Sequence, residues 1–70
     1  MDRIPVSSTN VASIGYDVDT QVLEVEFVNG GVYQYMNVPQ EVFDEFQGAS
    51  SKGSYLAQNI KNRYPYTRVG

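Results

Sequence analysis

Phe27-Val28-Asn29-Gly30-Gly31-Val32-Tyr33-Gln34-Tyr35-Met36-Asn37-Val38-Pro39 is the stretch on which the architecture turns. An alternating strand runs into Asn29-Gly30-Gly31, reverses, and returns carrying two tyrosines. Asn and Gly accept the positive φ that tight hairpins require, so the triplet is a strong turn signal. Tyr33 and Tyr35 project from one face of the returning strand, because side chains alternate with period two. Which face they take depends on the turn. A two-residue loop at Asn29-Gly30 sets Phe27 opposite Val32 and turns the tyrosines toward the face of Glu24 and Glu26. A three-residue loop, Asn29-Gly30-Gly31, sets Phe27 opposite Tyr33 and Val25 opposite Tyr35. One residue of register moves the pair from solvent to core. The two glycines suit a bulged turn and a small core needs volume, so the longer loop is expected.

Upstream, Gln21 to Val28 shows the clearest pattern, with Leu23, Val25 and Phe27 alternating with Glu24 and Glu26. One face should be buried and the other wet. Val11 to Val18 reads as a preceding strand, with Ile14 and Tyr16 on one face. Asp17, Asp19 and Thr20 supply the turn between them. Residues 1–10 read as a loose polar arm, extended near Val6.

Downstream, Val38-Pro39 marks a change of period, since proline favours the first helical position and its predecessor is extended. Gln40 to Phe46 reads as a short helix placing Val42, Phe43 and Phe46 inward, ended by Gly48. Ser50 or Ser51 can cap a second helix running to about Arg63, with Leu56, Ile60 and Tyr64 spaced by four. Tyr66 to Val69 form a tail able to pair with a strand edge. The expected fold is α+β: an N-terminal arm (1–10), then a single domain (11–70). That domain is a three-stranded antiparallel meander followed by two helices packed on one face. Its expected core is Ile14, Tyr16, Leu23, Val25, Phe27, Val42, Phe46, Leu56 and Ile60.

At 70 residues the chain is near the lower limit for independent folding, so most large apolar side chains are needed inside. It has no cysteine and no histidine. Disulfides, thiolate metal sites and the commonest general base are therefore missing. No apolar run has the length of a membrane span and no signal peptide is visible, so a cytoplasmic location is expected. Net charge is −3, unevenly distributed. Residues 1–48 hold all eight acids and Arg3, a balance of −7, whereas residues 49–70 hold Lys52, Lys61, Arg63 and Arg68 and no acid.

Several motifs in order carry a resemblance. Ile14-Gly15-Tyr16-Asp17, Leu23-x-Val25-x-Phe27, Gly30, Tyr33-x-Tyr35, Val38-Pro39, Ala49-x-Ser51-x-Gly53, Ile60 and Tyr64-Pro65 together resemble the KTSC domain, across roughly residues 7–69. That family is named for its place at the C-terminus of some lysyl-tRNA synthetases, and similar domains occur as small bacterial and phage proteins. The resemblance implies a compact domain of about sixty residues whose role is not established, with RNA as the partner that the synthetase association suggests. The acidic net charge of this chain departs from that expectation.

The best nucleic-acid candidates are Lys52, Lys61, Arg63 and Arg68, interleaved with Tyr55, Tyr64 and Tyr66. Cations neutralise phosphates while aromatics stack bases. The competing reading is that Lys61 and Arg63 simply complement a helix C-terminus. Tyr33 and Tyr35 offer a stacking platform, or pack beneath the helices with their hydroxyls at the rim. Ser51-Lys52-Gly53 can hold an anion at a helix start, or is an ordinary serine cap with a glycine for close packing. Asp17-x-Asp19 lacks the rest of a calcium loop and reads as a turn. No metal site, cofactor or catalytic residue is expected, and the chain reads as a non-enzyme. The leading expectation is a binding module for RNA acting through the basic C-terminal region. The second is a module for a protein partner or a homodimer, acting through the sheet face or a free edge.

Overall fold

Leu23 and Val25 are fully buried, as the alternation requires, at the centre of an antiparallel sheet. The computed structural model describes residues 1–70. Five strands lie in chain order: β1 (Ile4–Pro5), β2 (Val11–Asp17), β3 (Val22–Phe27), β4 (Val32–Tyr35) and β5 (Tyr66–Arg68). The expected three-stranded meander is β2 to β4, and the sheet exceeds it by one short strand on each edge. Helix α1 (Gln40–Gly48) and the shorter α2 (Lys52–Tyr55) follow the meander. No helix is long and apolar enough to cross a membrane.

The hairpin between β3 and β4 has a three-residue loop, but it is Val28-Asn29-Gly30. The Gly30 N–H donates to the Phe27 carbonyl at 2.9 Å, and the Phe27 N–H donates to the Gly31 carbonyl at 2.8 Å. Gly30 takes φ +99°, the left-handed position that closes a bulged three-residue turn. The register therefore sets Val25 opposite Tyr33 and Leu23 opposite Tyr35. This differs from the expected register by two residues, an even number, so the tyrosines keep the face of Leu23 and Val25. Between β2 and β3 the register slips between Val11 and Ser13. That bulge lets both Val11 and Ile14, three apart, point into the core.

The core comprises Val11, Ile14, Leu23, Val25, Tyr35, Val38, Phe46, Leu56 and Ile60. Tyr16, Phe27 and Val42, expected inside, pack at its margin instead. Phe46 is the buried residue of α1 and stacks on Tyr55, with ring centroids 5.7 Å apart. Tyr16 stacks on Phe43 at 4.8 Å, and its hydroxyl donates to the Val38 carbonyl.

The second helix is not the regular one expected. Ser51 caps it, its Oγ accepting from the Ser54 N–H at 3.3 Å. After Tyr55 the chain widens into a π turn over Leu56–Ile60, where the Lys61 N–H donates to the Leu56 carbonyl five residues back, at 2.8 Å. The helix thus ends before Arg63. Leu56 and Ile60 are buried, and Tyr64 packs against the core.

The sheet face away from the helices also departs from expectation. Glu24, read as solvated, is only 8 % exposed. Arg3 Nη1 donates to one carboxylate oxygen at 2.9 Å and Gln34 Nε2 to the other at 2.8 Å. Beside it, Ser13 Oγ donates to Glu26 at 2.8 Å. The first residues of the chain cross over Gly15, where an added Cβ would lie 2.5 Å from the Asp2 carbonyl oxygen. The N-terminal segment is therefore pinned rather than loose, and it seals a polar network.

One pH effect arises from the helix contacts. Tyr55 Oη donates to Glu45 Oε1 at 2.6 Å. Burial first, and then this bond, push the phenol up to about 12. A phenol that holds its proton more tightly when folded stabilises the fold fully below its unfolded pKa near 10, and loses that contribution as pH rises toward 12. Urea midpoints should decline across that window. In a tyrosinate absorbance titration, Glu45→Ala should lower the late step without bringing it to the ordinary value, since burial is the larger cause. A titration unchanged by Glu45→Ala would contradict this.

Candidate functional site

Strand β5 pairs with β4 so that Tyr66 lies opposite Tyr35 and Arg68 opposite Tyr33. Alternation then puts all four on the face that carries Leu23 and Val25. Lys61 arrives from the other side. The π turn stacks it over Leu56 through the five-residue hydrogen bond, whereas a regular helix would set a residue five positions on roughly 140° away. The result is a cleft of about 260 Å³ between the β3–β4 turn, the β4–β5 pair and Lys61.

Its floor is aromatic. Phe27 meets Tyr33 edge-on at 5.5 Å, Tyr33 meets Tyr66 at 5.7 Å, and Tyr66 meets Tyr35 at 5.7 Å. Tyr35 is buried at 3 % exposure, Tyr33 is half-buried, and Tyr66 is 57 % exposed. Burial pushes the Tyr35 phenol up, and the neighbouring Tyr33 and Tyr66 add to the shift, so it stays a neutral hydroxyl. The Arg68 guanidinium carbon lies 5.9 Å from the Tyr33 ring centroid, and Arg68 Nε donates to the Gly70 carbonyl at 2.7 Å. That contact holds the side chain while leaving its terminal nitrogens unengaged.

The electrostatics of the cleft are one-sided. Lys61 and Arg68 line it and no acid does. The protein's one ion pair is Arg3–Glu24, on the opposite face of the sheet. Asn29 Oδ1 accepts from the Gly31 N–H at 3.0 Å, so its amide nitrogen is left as a donor. An ammonium, a guanidinium and an amide, with no acidic side chain, suit an anionic ligand, and the exposed Tyr66 ring suits a flat one. No group of acidic side chains converges to hold a metal ion.

Five residues singled out from sequence therefore meet here: Tyr33, Tyr35, Lys61, Tyr66 and Arg68. The others lie elsewhere. Ser51 and Lys52 border a separate shallow groove with Ser7, Ser8, Thr9 and Ser50. Lys52 Nζ donates to the Ala49 carbonyl at 2.6 Å, and Ser51 is the helix cap. Gly53 lies against Asn10, whose amide nitrogen an added Cβ would approach to 3.2 Å, so it serves packing. Arg63 is exposed on the turn after Ile60 and does not line the cleft. Asn29 and Gly31 were not anticipated as site residues, although their place in the turn before Tyr33 is the signal that points to them.

Comparison with known proteins fits this architecture. Residues 7–64 match the family model of the KTSC domain. A KTSC domain protein from Yersinia pestis, known from a crystal structure, is 40 % identical with a TM-score of 0.96, covering 99 % of this chain and 97 % of that one. A protein from Stutzerimonas stutzeri (strain A1501), described only as uncharacterized, is 40 % identical over 70 residues, with 99 % of each chain covered. A lysine–tRNA ligase from Trichormus variabilis is 41 % identical over 54 residues, which are 77 % of this chain but 10 % of the ligase. Tyr66 and Arg68 lie beyond the residues matched by the family model. With most of its length matched and its fold shared throughout, the chain belongs to the KTSC domain family.

Proposed function

We propose that the protein is a small non-catalytic module that binds single-stranded RNA at the β4–β5 cleft. The observation that carries this reading is the convergence of Lys61, Arg68 and the exposed Tyr66 in an acid-free cleft, within a chain whose net charge is −3. Local charge sign counts for more than the total at contact distance, because screening limits exposed charges to roughly 10 Å. The similarity to part of a lysine–tRNA ligase, a protein named for an RNA substrate, supports RNA as the polymer. The lack of histidine and cysteine in the chain supports binding rather than catalysis.

The test is titration with a short single-stranded RNA at low and high salt. One neutralised phosphate gives a log–log salt slope near −0.7, or about a 2.6-fold loss between 50 and 200 mM salt. Lys61→Gln or Arg68→Gln should each weaken binding and flatten that slope. Lys52→Gln, at the separate groove, should leave it unchanged. Absence of any saturable amide shift at low salt would remove the reading, as would shifts centred on Lys52.

A further inference from the structure

We infer that the cleft is a subsite for one nucleotide, in which Tyr66 stacks the base while Lys61 and Arg68 hold that same nucleotide's phosphate. This rests on the RNA reading and narrows it from a polyanion track to a single unit.

Three observations set the size of the ligand. First, only one ring is open for stacking. Tyr35 is buried, and Tyr33 is enclosed by Phe27 on one side, Tyr66 on another and the Arg68 guanidinium. Tyr66 alone keeps more than half its surface free. Second, a cation is close to that ring, and Lys61 lines the same cleft. Arg68 follows Tyr66 by two residues on the same strand face, a separation of roughly 7 Å. That is within the reach of one nucleotide's own base and phosphate. Third, the track does not continue. Lys52 is bonded to the Ala49 carbonyl beside a different groove, and Arg63 is outside the cleft. Val28 and Val69, each next in sequence to a lining residue, are exposed and attract no phosphate.

The donors also bear on the base. The Gly31 N–H fixes the Asn29 carboxamide with its oxygen engaged and its nitrogen free. The Tyr35 hydroxyl remains protonated. Such a wall pairs best with carbonyl oxygens, so a uracil nucleotide is the probe of choice.

The experiment is amide-shift titration of the full chain with uridine 5′-monophosphate, uridine, ribose 5-phosphate, a short oligouridylate and a polyglutamate peptide. The nucleotide should shift Gly31, Tyr33, Lys61, Tyr66 and Arg68. It should bind roughly 5- to 150-fold more tightly than ribose 5-phosphate, the range that one base–aromatic stack provides. Tyr66→Leu, which keeps an apolar side chain in β5, should bring the nucleotide down to the level of ribose 5-phosphate. Arg68→Gln should bring it toward the level of uridine. Equal affinity for nucleotide and ribose 5-phosphate overturns the inference. Oligouridylate binding without nucleotide binding also overturns it, while the RNA reading stands. If neither binds, both fail. A polyglutamate peptide that shifts these amides more strongly than the nucleotide overturns both in favour of an acidic protein partner.

Discussion

Phe46→Ala should cost about 3–5 kcal/mol, the range for removing a fully enclosed phenylalanine. A 70-residue domain has about 4–10 kcal/mol of total stability, so this one change should leave a substantial unfolded population. The reason is local. Phe46 is the buried residue of α1, with no exposed surface, and it also stacks on Tyr55 in the next helix. Both helices are therefore anchored through it. Urea denaturation followed by circular dichroism measures the effect. A loss below about 1 kcal/mol, the scale of ordinary substitutions, would show that α1 is not docked as described.

Gly15→Ala should cost about 1–3 kcal/mol, as overpacking commonly does. Its Cβ would lie 2.5 Å from the Asp2 carbonyl oxygen and 3.0 Å from Arg3 Cγ. The first of these atoms is backbone and cannot rotate away alone. Relief comes by lifting residues 1–3 off the sheet, which separates Arg3 from Glu24. Glu24 then regains water, so the loss stays well below that of an unpaired charge trapped inside. Hydrogen exchange should quicken for the amides of Ile4 and Val6. The double variant with Arg3→Ala should be little worse than Gly15→Ala alone, because both remove the same contact. Additive losses, or unchanged protection at the N-terminus, would refute this account.

How far the architecture can be read ahead of coordinates differs by element. Leu23, Val25 and Phe27 announce β3 because alternation is a local property, and Asn29-Gly30 announces the hairpin for the same reason. The loop residues were displaced by one position because the left-handed bulge site falls on Gly30, leaving Gly31 to pair with Phe27. Parity survived, and parity is what sends Tyr35 inward. Strands β1 and β5 have two and three residues, too few for any period to register. Val11 and Ile14 share the core only because of a bulge that no spacing rule reveals. The burial of Glu24 depends on Arg3, 21 positions away. Within the site, the cations and tyrosines are visible as residue types. Their sorting into Lys61 and Arg68 against Lys52 and Arg63 follows from the π turn and the pairing of β5, which are tertiary outcomes.

The brevity of the two marginal strands has a consequence for crowded solutions. A sheet left with unpaired ladder groups along its border is a template for runaway stacking of copies into fibrils. Here one border is two residues long and includes Pro5, which has no N–H to give, and the other is three residues long. Such stubs offer too few groups to nucleate a cross-β stack, so concentrated samples should stay clear on prolonged storage.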